Sequence, residues 1–146
     1  MYRWLPASTP CPGKPGYARC MFEISVQATF SAAHALSIAG AREPVHGHDW
    51  KVTVVVSGTT LDADGLLCDF HTVEETLQTI TKQYNNNNLN QIETFTRINP
   101  SAENVARVIG EILVAQLGGA LVPHARIDRV TVTEAPGCAA TYILPR

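Results

Sequence analysis

Three histidines are spaced so that they could bind one metal ion. His46 and His48 flank Gly47, and residues two apart in a β-strand point to the same face. Trp50 and Val52 continue that face, which predicts that both imidazoles lie on the protected side of a sheet. A protected imidazole needs a hydrogen-bond partner or a metal ion, because burying an unpaired polar group costs free energy.

The third histidine, His34, follows the first predicted strand after Ser31, Ala32 and Ala33. If that strand pairs with the next one as a hairpin, His34 can meet His46 and His48. Three histidines without an obvious fourth ligand fit a catalytic zinc site that keeps a position open for water or substrate. The alternative is that they are ordinary core or surface histidines, as holds for most isolated His-x-His motifs. His71 and His124 have no such neighbours and are interpreted as structural.

Glu134 lies at the end of a predicted strand, in the alternating series Asp128, Val130, Val132, Glu134. These four residues are predicted to share one face. An acid in an otherwise apolar stripe is either a binding group or a strand-end residue already in solvent. The pattern alone leaves both alternatives open.

Glu43 precedes His46 by three residues, with the stiff Pro44 between them. A carboxylate at this spacing could act as a general base beside the metal, and the alternative is a surface loop glutamate. Cys138, near Glu134 across a predicted turn, and His71 are weaker candidates for the base.

Alternating and amphipathic patterns predict four strands and two helices in the order ββααββ. Gly118 and Gly119 are predicted to end the second helix, which begins at either Ser101 or Asn99. The predicted strands lie near residues 22–30, 50–57, 128–134 and 138–144, and the helices near residues 69–84 and 101–117. This order indicates an α+β fold, and the edges of so small a sheet could be closed by an oligomer.

Composition limits the possible partners. The chain has 146 residues and a net charge of −2, with 45% apolar and 16% charged residues, and its scattered Lys and Arg residues argue against nucleic acid. No apolar run approaches the roughly 20 residues that span a bilayer. The cysteines form no Cys-x-x-Cys pair and are interpreted as the reduced thiols of a cytoplasmic protein. Residues 1–20, rich in Pro and Gly, are predicted to be a flexible extension before a single domain over residues 21–146.

Several motifs, taken in chain order, resemble those of the 6-pyruvoyl-tetrahydropterin synthase and 6-carboxy-tetrahydropterin synthase family. They are Phe30-Ser31-Ala32-Ala33-His34, His46-Gly47-His48-Asp49-Trp50, Asp69-Phe70, Leu89-Asn90, Pro100-Ser101-Ala102-Glu103-Asn104, and Val132-Thr133-Glu134 with Tyr142 beyond. The resemblance covers about residues 21 to 144. It implies the tunnelling fold, an antiparallel sheet with two helices on one face. Subunits of that fold join their sheets into a trimeric barrel, two trimers stack as a hexamer, and the site lies between subunits.

The resemblance also implies the site. Zn²⁺ would be bound by His34, His46 and His48, and the pterin ring by Glu134 with the backbone around Ser101 and Ala102. The family substrate is 7,8-dihydroneopterin triphosphate, whose side-chain hydroxyls zinc would bind and acidify. Different members eliminate triphosphate, or cut the side chain to a carboxylate or a hydroxymethyl group.

The chain departs from the family pattern at the proton-transfer positions. Arg42 stands where the family has a cysteine, and Asn85 and Asn86 stand where it has an Asp-His pair. A subgroup with Glu-x-x-His-Gly-His is similar here and is associated with release of 6-hydroxymethyl-7,8-dihydropterin for folate, which implies Glu43 as the base. The expected function is a zinc-dependent pterin lyase, and the alternative is a pterin-binding paralogue without turnover.

Overall fold

Seven strands and two α-helices make up residues 21–145, the part of the chain that this computed structural model describes. In chain order they are β1 (Phe22–His34), β2 (Ser37–Ile38), β3 (Ala41–Arg42), β4 (His46–Gly58), α1 (Phe70–Tyr84), β5 (Asn87–Asn88), α2 (Ala102–Leu121), β6 (Arg126–Ala135) and β7 (Cys138–Ile143). The long elements follow the predicted order ββααββ, and the two-residue strands are additions to it. The extension predicted over residues 1–20 lies outside the described residues.

The main sheet has the strand order β5-β1-β4-β6-β7 and is antiparallel except where the short β5 runs parallel to β1. β1 and β4 pair along their whole length, from Phe22 opposite Gly58 to His34 opposite His46. In the segment that connects β1 to β4, β2 and β3 form a small hairpin that is separate from the main sheet. α1 packs on β1, and α2 packs on β6 and β7, within one hydrophobic core. The α+β class with both helices on one face of the sheet is therefore confirmed.

Side-chain caps set the start of each helix. Asp69 accepts a hydrogen bond from the backbone N–H of His71 at 2.9 Å and caps α1. Ser101 accepts one from the backbone N–H of Asn104 at 3.3 Å and caps α2, which selects Ser101 over Asn99 as the start. Such caps satisfy N–H groups that have no partner inside the helix.

The predicted end of the second helix is wrong. α2 continues through Gly118 and Gly119 to Leu121. Glycine costs about 1 kcal/mol in a helix interior relative to alanine, but Leu117 and Leu121 are both buried, and burying a leucine contributes about 1.5–3 kcal/mol. α2 is long and apolar enough to cross a bilayer, yet it packs here as a core helix on the sheet.

A β-bulge in β6 corrects the prediction that Asp128 shares a face with Val130. The ladder between β4 and β6 shifts by one residue at Asp128. Ile127 therefore takes the core position and is only 4% exposed. The Asp128 carboxylate instead accepts a hydrogen bond from the Ser57 hydroxyl at 3.3 Å and pairs with Arg129 at 2.9 Å.

Candidate metal centre

Four polar side chains meet at one end of the β1–β4 hairpin. Ligand atoms of His34, His46, His48 and Glu134 all lie within 4.8 Å of one another. The register that sets His34 opposite His46 brings the three imidazoles together, with ring centroids 4.7 to 5.2 Å apart. The buried Trp50 lies beside the cluster, its ring 4.9 Å from that of His34.

Backbone carbonyls fix the orientation of two of the rings. The Nδ1 atom of His34 is 2.8 Å from the carbonyl oxygen of Pro100, and that of His46 is 2.9 Å from the carbonyl oxygen of Pro44. A carbonyl only accepts, so Nδ1 carries the hydrogen in both rings, and Nε2 of the neutral ring is left with a lone pair. A backbone carbonyl on the second ring nitrogen is the usual support of a metal-binding histidine.

Two of the three Nε2 atoms have no hydrogen-bond partner among the described residues. Those of His34 and His48 are buried, and within residues 21–145 neither has a hydrogen bond; the His34 side chain is 0% exposed. A buried polar atom left unpaired costs about 1–3 kcal/mol. A metal ion among the Nε2 atoms would satisfy them, and imidazole nitrogens are ligands that zinc prefers. The residues present therefore fit a zinc ion.

Glu134 points into this cluster from β6. Its Oε1 atom is 3.2 Å from Nε2 of His48 and 3.5 Å from Nε2 of His34. The ladder between β6 and β7 skips Glu134, shifting register between Thr133 and Ala135, and bulges of this kind re-aim a side chain. The Glu134 side chain is 25% exposed, so the carboxylate reaches the histidines while staying accessible from solvent.

Glu43 lies beside the cluster rather than in it. After the β2–β3 hairpin the chain returns so that the Glu43 backbone N–H donates to the carbonyl of Leu36 at 3.0 Å, and Oε1 of Glu43 accepts from the Leu36 N–H at 2.8 Å. The same oxygen is 3.9 Å from Nδ1 of His46. The carboxylate therefore stands beside Nδ1 of His46, not beside the Nε2 atom that would bind the metal, and its side chain is 31% exposed.

Two asparagine side chains hold the segment that follows His34, and the sequence analysis missed this role. The Asn90 amide accepts from the N–H of Ala35 and donates to its carbonyl, both at 2.8 Å. The Asn99 amide makes the same pair of bonds to Ser37, both at 2.9 Å. A side-chain amide can replace a backbone partner in this way, so these residues act as a substitute strand.

Ser101 and Ala102 begin α2 close to the cluster. Pro100, directly before them, supplies the carbonyl that holds His34. The Ser101 hydroxyl is occupied as the helix cap, and Ala102 is buried. The start of α2 and the histidine cluster are therefore one connected unit.

Arg42, Asn85 and Asn86, which the sequence resemblance assigns to proton-transfer positions, contribute no ligand atom to the cluster. Arg42 is exposed at the end of β3. Asn85 accepts from the N–H of Ser31 at 2.9 Å, and the N–H of Asn86 donates to the Ser31 carbonyl at 2.6 Å. Asn86 also lines an open groove of about 550 Å³, whose other lining residues include Asp49 and the cluster residue His48. Arg42, Asn85 and Asn86 are absent from the cluster of ligand atoms in the described chain.

The two weaker candidates for the base also lie apart from the cluster. His71 is exposed at the start of α1, and its hydrogen bond with Asp69 at 3.0 Å raises the pKa of the imidazole. Cys138 is a free, exposed thiol at the start of β7. Neither belongs to the group of side chains around His34.

Comparisons with known proteins find a family and several relatives. The profile of the family described as 6-pyruvoyl tetrahydropterin synthase matches residues 23–144. A dihydroneopterin monophosphate aldolase of Pyrococcus furiosus is 34% identical over 96 residues, which are 66% of this chain and 78% of that protein. A 6-carboxy-5,6,7,8-tetrahydropterin synthase of Bacillus subtilis is 32% identical over 102 residues, 66% and 68% of the two chains.

Solved structures show the same fold. The 6-pyruvoyl tetrahydropterin synthase of Caenorhabditis elegans aligns with a TM-score of 0.74 at 21% identity, covering 88% of this chain and 99% of that one. A Plasmodium vivax 6-pyruvoyltetrahydropterin synthase in which a catalytic glutamate is replaced by alanine aligns with a TM-score of 0.71 at 20% identity, covering 84% and 97%.

Proposed function

This chain belongs to the 6-pyruvoyl tetrahydropterin synthase family, and we propose that it is a zinc-dependent lyase acting on the side chain of 7,8-dihydroneopterin triphosphate or a closely related pterin. The observation that carries the proposal is the cluster of His34, His46 and His48. The rings of His34 and His46 are held by backbone carbonyls in the tautomer that leaves Nε2 free. Within residues 21–145, the Nε2 atoms of His34 and His48 are buried without a hydrogen bond.

The three histidines would hold the zinc ion through Nε2. When bound, zinc supplies a Lewis acid that lowers the pKa of the hydroxyls on the pterin side chain. The protein's own part is to orient that side chain and to move its protons.

Glu134 would hold the pterin ring. A carboxylate can accept two parallel hydrogen bonds from the ring N–H and the amino group of a pterin, and charge-assisted bonds of this kind are strong. The Glu134 side chain is 25% exposed, so its carboxylate is accessible to a ligand. The backbone at Ser101 and Ala102 would complete the pocket, since Pro100 already contacts His34.

Glu43 would act as the general base. Its carboxylate lies 3.9 Å from His46, and among the described residues only its Oε1 atom is hydrogen-bonded. Oε2 is therefore available to take a proton from a side-chain hydroxyl and return it to the product. The Plasmodium vivax protein, a member of this fold with a catalytic glutamate, supports a carboxylate in the role that Arg42 cannot fill.

The relatives support cleavage of the side chain without fixing the product. One is an aldolase on dihydroneopterin monophosphate and the other a 6-carboxy-tetrahydropterin synthase. We therefore propose the broader reaction, loss of part of the C6 side chain, and let the assay distinguish a hydroxymethyl, carboxyl or pyruvoyl product and a triphosphate from a monophosphate substrate.

A second candidate is a pterin-binding paralogue without turnover. Asn85 and Asn86 favour it, because both are used in backbone-type contacts with Ser31, and an amide is a far weaker base than a carboxylate or imidazole. The open metal position and Glu43 favour the enzyme.

The proposed assembly is a homo-oligomer, a hexamer of two stacked trimers, in the cytoplasm. The exposed edges of the five-stranded sheet support it: β7 pairs only with β6 in the described chain, so its other edge is available to a second subunit. A small pterin is the proposed partner, with no role for nucleic acid or membrane.

The test is to incubate the zinc-loaded protein separately with 7,8-dihydroneopterin triphosphate and monophosphate and to identify products by mass spectrometry. Zinc-dependent conversion of either substrate is expected. Unchanged substrates together with tight pterin binding would replace the enzyme with the binding paralogue.

A further inference from the structure

We propose that Asn99 is a positioning residue for the metal centre. Its side-chain amide holds the Pro100 carbonyl against the buried ring of His34 and thereby sets the affinity of the site for zinc. Asn99 itself contributes no ligand atom to the cluster. The inference rests on the zinc site of the proposed function, but it concerns metal binding alone and requires no pterin.

The Pro100 carbonyl is the support of the His34 ring. Its oxygen is 2.8 Å from Nδ1 of His34, and within residues 21–145 this nitrogen makes no other hydrogen bond. The His34 side chain is 0% exposed, so water cannot replace the carbonyl. The hydrogen bond at one ring nitrogen of a histidine fixes which nitrogen can bind a metal. A displaced carbonyl would therefore weaken the tautomer that leaves Nε2 free.

Pro100 depends on its neighbours for the direction of its carbonyl. Proline has no backbone N–H, and Pro100 lies directly before Ser101, the residue that caps α2. Asn104 joins the two neighbours of Pro100. Its backbone N–H donates to the Ser101 hydroxyl at 3.3 Å, and its side-chain amide donates to the Asn99 carbonyl at 2.9 Å. The peptide units on both sides of Pro100 are therefore held by the first turn of α2.

Asn99 ties this segment to the stretch of chain that carries His34. Its amide accepts from the N–H of Ser37 and donates to the carbonyl of the same residue, both at 2.9 Å. Ser37 is three residues after His34, so the clamp and the ring bond join the same two segments. Ser37 is exposed, and water can take over both bonds in a variant. The loss of the amide is therefore expected to affect the placement of Pro100 more than folding.

His46 provides an internal contrast. Its Nδ1 atom is 2.9 Å from the carbonyl oxygen of Pro44, which is only two residues away in the chain. A carbonyl supplied so locally needs no clamp from a distant segment. The loss of the Asn99 amide is therefore expected to disturb the ring of His34 and to leave that of His46 in place. A general loosening of the protein would affect both rings.

The experiment measures zinc affinity and the state of the histidine rings in the full-length protein. Zinc-free protein is titrated with Zn²⁺ against a chromophoric chelator, and the ring nitrogens of the zinc-loaded protein are followed by ¹⁵N nuclear magnetic resonance. Asn99→Ala is expected to lower the zinc affinity by about tenfold, the lower end of the loss seen when outer partners of a metal site are removed. The Nδ1 signal of His34 is expected to shift, and its hydrogen to exchange faster with solvent, while the Nδ1 signal of His46 stays unchanged.

Two further variants complete the design. The matched control is Asn87→Ala, which removes an exposed amide that also donates to two backbone carbonyls, those of Gln83 and Asn85. It is expected to leave zinc affinity and the His34 signal unchanged. Asn104→Ala removes the bond to the Asn99 carbonyl while placing a good helix former in α2. It is expected to change zinc affinity and the His34 signal in the same direction as Asn99→Ala, by a smaller amount.

Circular dichroism checks that each variant is folded. Wild-type zinc affinity or an unchanged His34 signal in folded Asn99→Ala would overturn the inference, as would equal changes at His34 and His46. If Asn99→Ala does not fold, Asn104→Ala is judged by the same criteria. Absence of zinc binding by the wild type would overturn the proposed metal centre and the inference together, so the two failures are distinguishable.

Discussion

The residues that would hold the metal and the residues that would move protons are supported very differently. His34 is buried, and its ring is fixed by the Pro100 carbonyl. Glu43, the proposed base, is partly exposed and is held by contacts to a loop residue, Leu36. The metal-binding His34 is thus held in the core, while the proposed base, Glu43, lies in the short segment between β3 and β4.

The difference indicates where this chain tolerates change. Ligands must converge within a few tenths of an ångström, which requires paired strands and locked rings. A general base needs only to reach one proton, so it can be supplied from a different position. The sequence resemblance assigns Arg42, Asn85 and Asn86 to the family's proton-transfer positions, and none of the three belongs to the cluster of ligand atoms in the described residues.

The largest expected effect is on turnover when the base is removed. Glu43→Gln is expected to lower kcat by about 10² to 10⁴, the usual contribution of a general base. Zinc and pterin binding should stay nearly intact, because Glu43 is outside the ligand cluster. Steady-state kinetics measure the turnover, and the zinc content of the purified variant measures metal binding. The matched control is Glu75→Gln, because Glu75 is an exposed glutamate on α1. Full turnover in Glu43→Gln would move the search for the base to Cys138 or His71.

A smaller effect is expected on pterin affinity when Glu134 is changed. Glu134→Gln places a donor against the donors of the pterin edge. The affinity is expected to fall by more than tenfold, about 1.4 kcal/mol or more. Fluorescence titration with neopterin measures it, and an affinity equal to that of the wild type would remove Glu134 from the pterin site.

The smallest effect is expected at the start of α2. Ser101→Ala removes the helix cap that Asn104 contacts at 3.3 Å. The free energy of unfolding is expected to fall by about 1 kcal/mol, as for other caps of this type. Denaturant unfolding of the wild type, Ser101→Ala and Ser101→Asn measures this, and the asparagine variant should restore most of the loss. Unchanged stability in Ser101→Ala would show that the cap contributes little to the frame of the site.

The long strands, and the register between β1 and β4, could be predicted from the sequence. Alternation with period two sets which side chains share a face, so His46 and His48 join Trp50. A hairpin then brings His34 opposite His46, as the ladder shows. These inferences needed only local pattern and one pairing.

The features that could not be predicted from the sequence are irregularities of the backbone and contacts between distant residues. The bulge at Asp128 lies between β4 and β6, which are distant in sequence. The register shift at Glu134 lies beside the tight turn that joins β6 to β7, and strand alternation alone does not predict it. The continuation of α2 past Gly118 reflects burial of Leu121, which outweighs local propensity. The Asn90 side-chain amide, in a short 3₁₀-helix, bonds to the backbone of Ala35, which is 55 positions away, and no local sequence pattern predicts such a contact.

His34, His46 and His48 are proposed to bind one zinc ion together. The most direct measurement is the zinc content per chain of the purified wild type and of the double variant His46→Ala, His48→Ala, by inductively coupled plasma mass spectrometry after dialysis against a mild chelator. The wild type is expected to retain close to one zinc per chain, and the double variant essentially none, because removing two of the ligands removes most of the binding free energy. Full zinc occupancy in the folded double variant would contradict the claim.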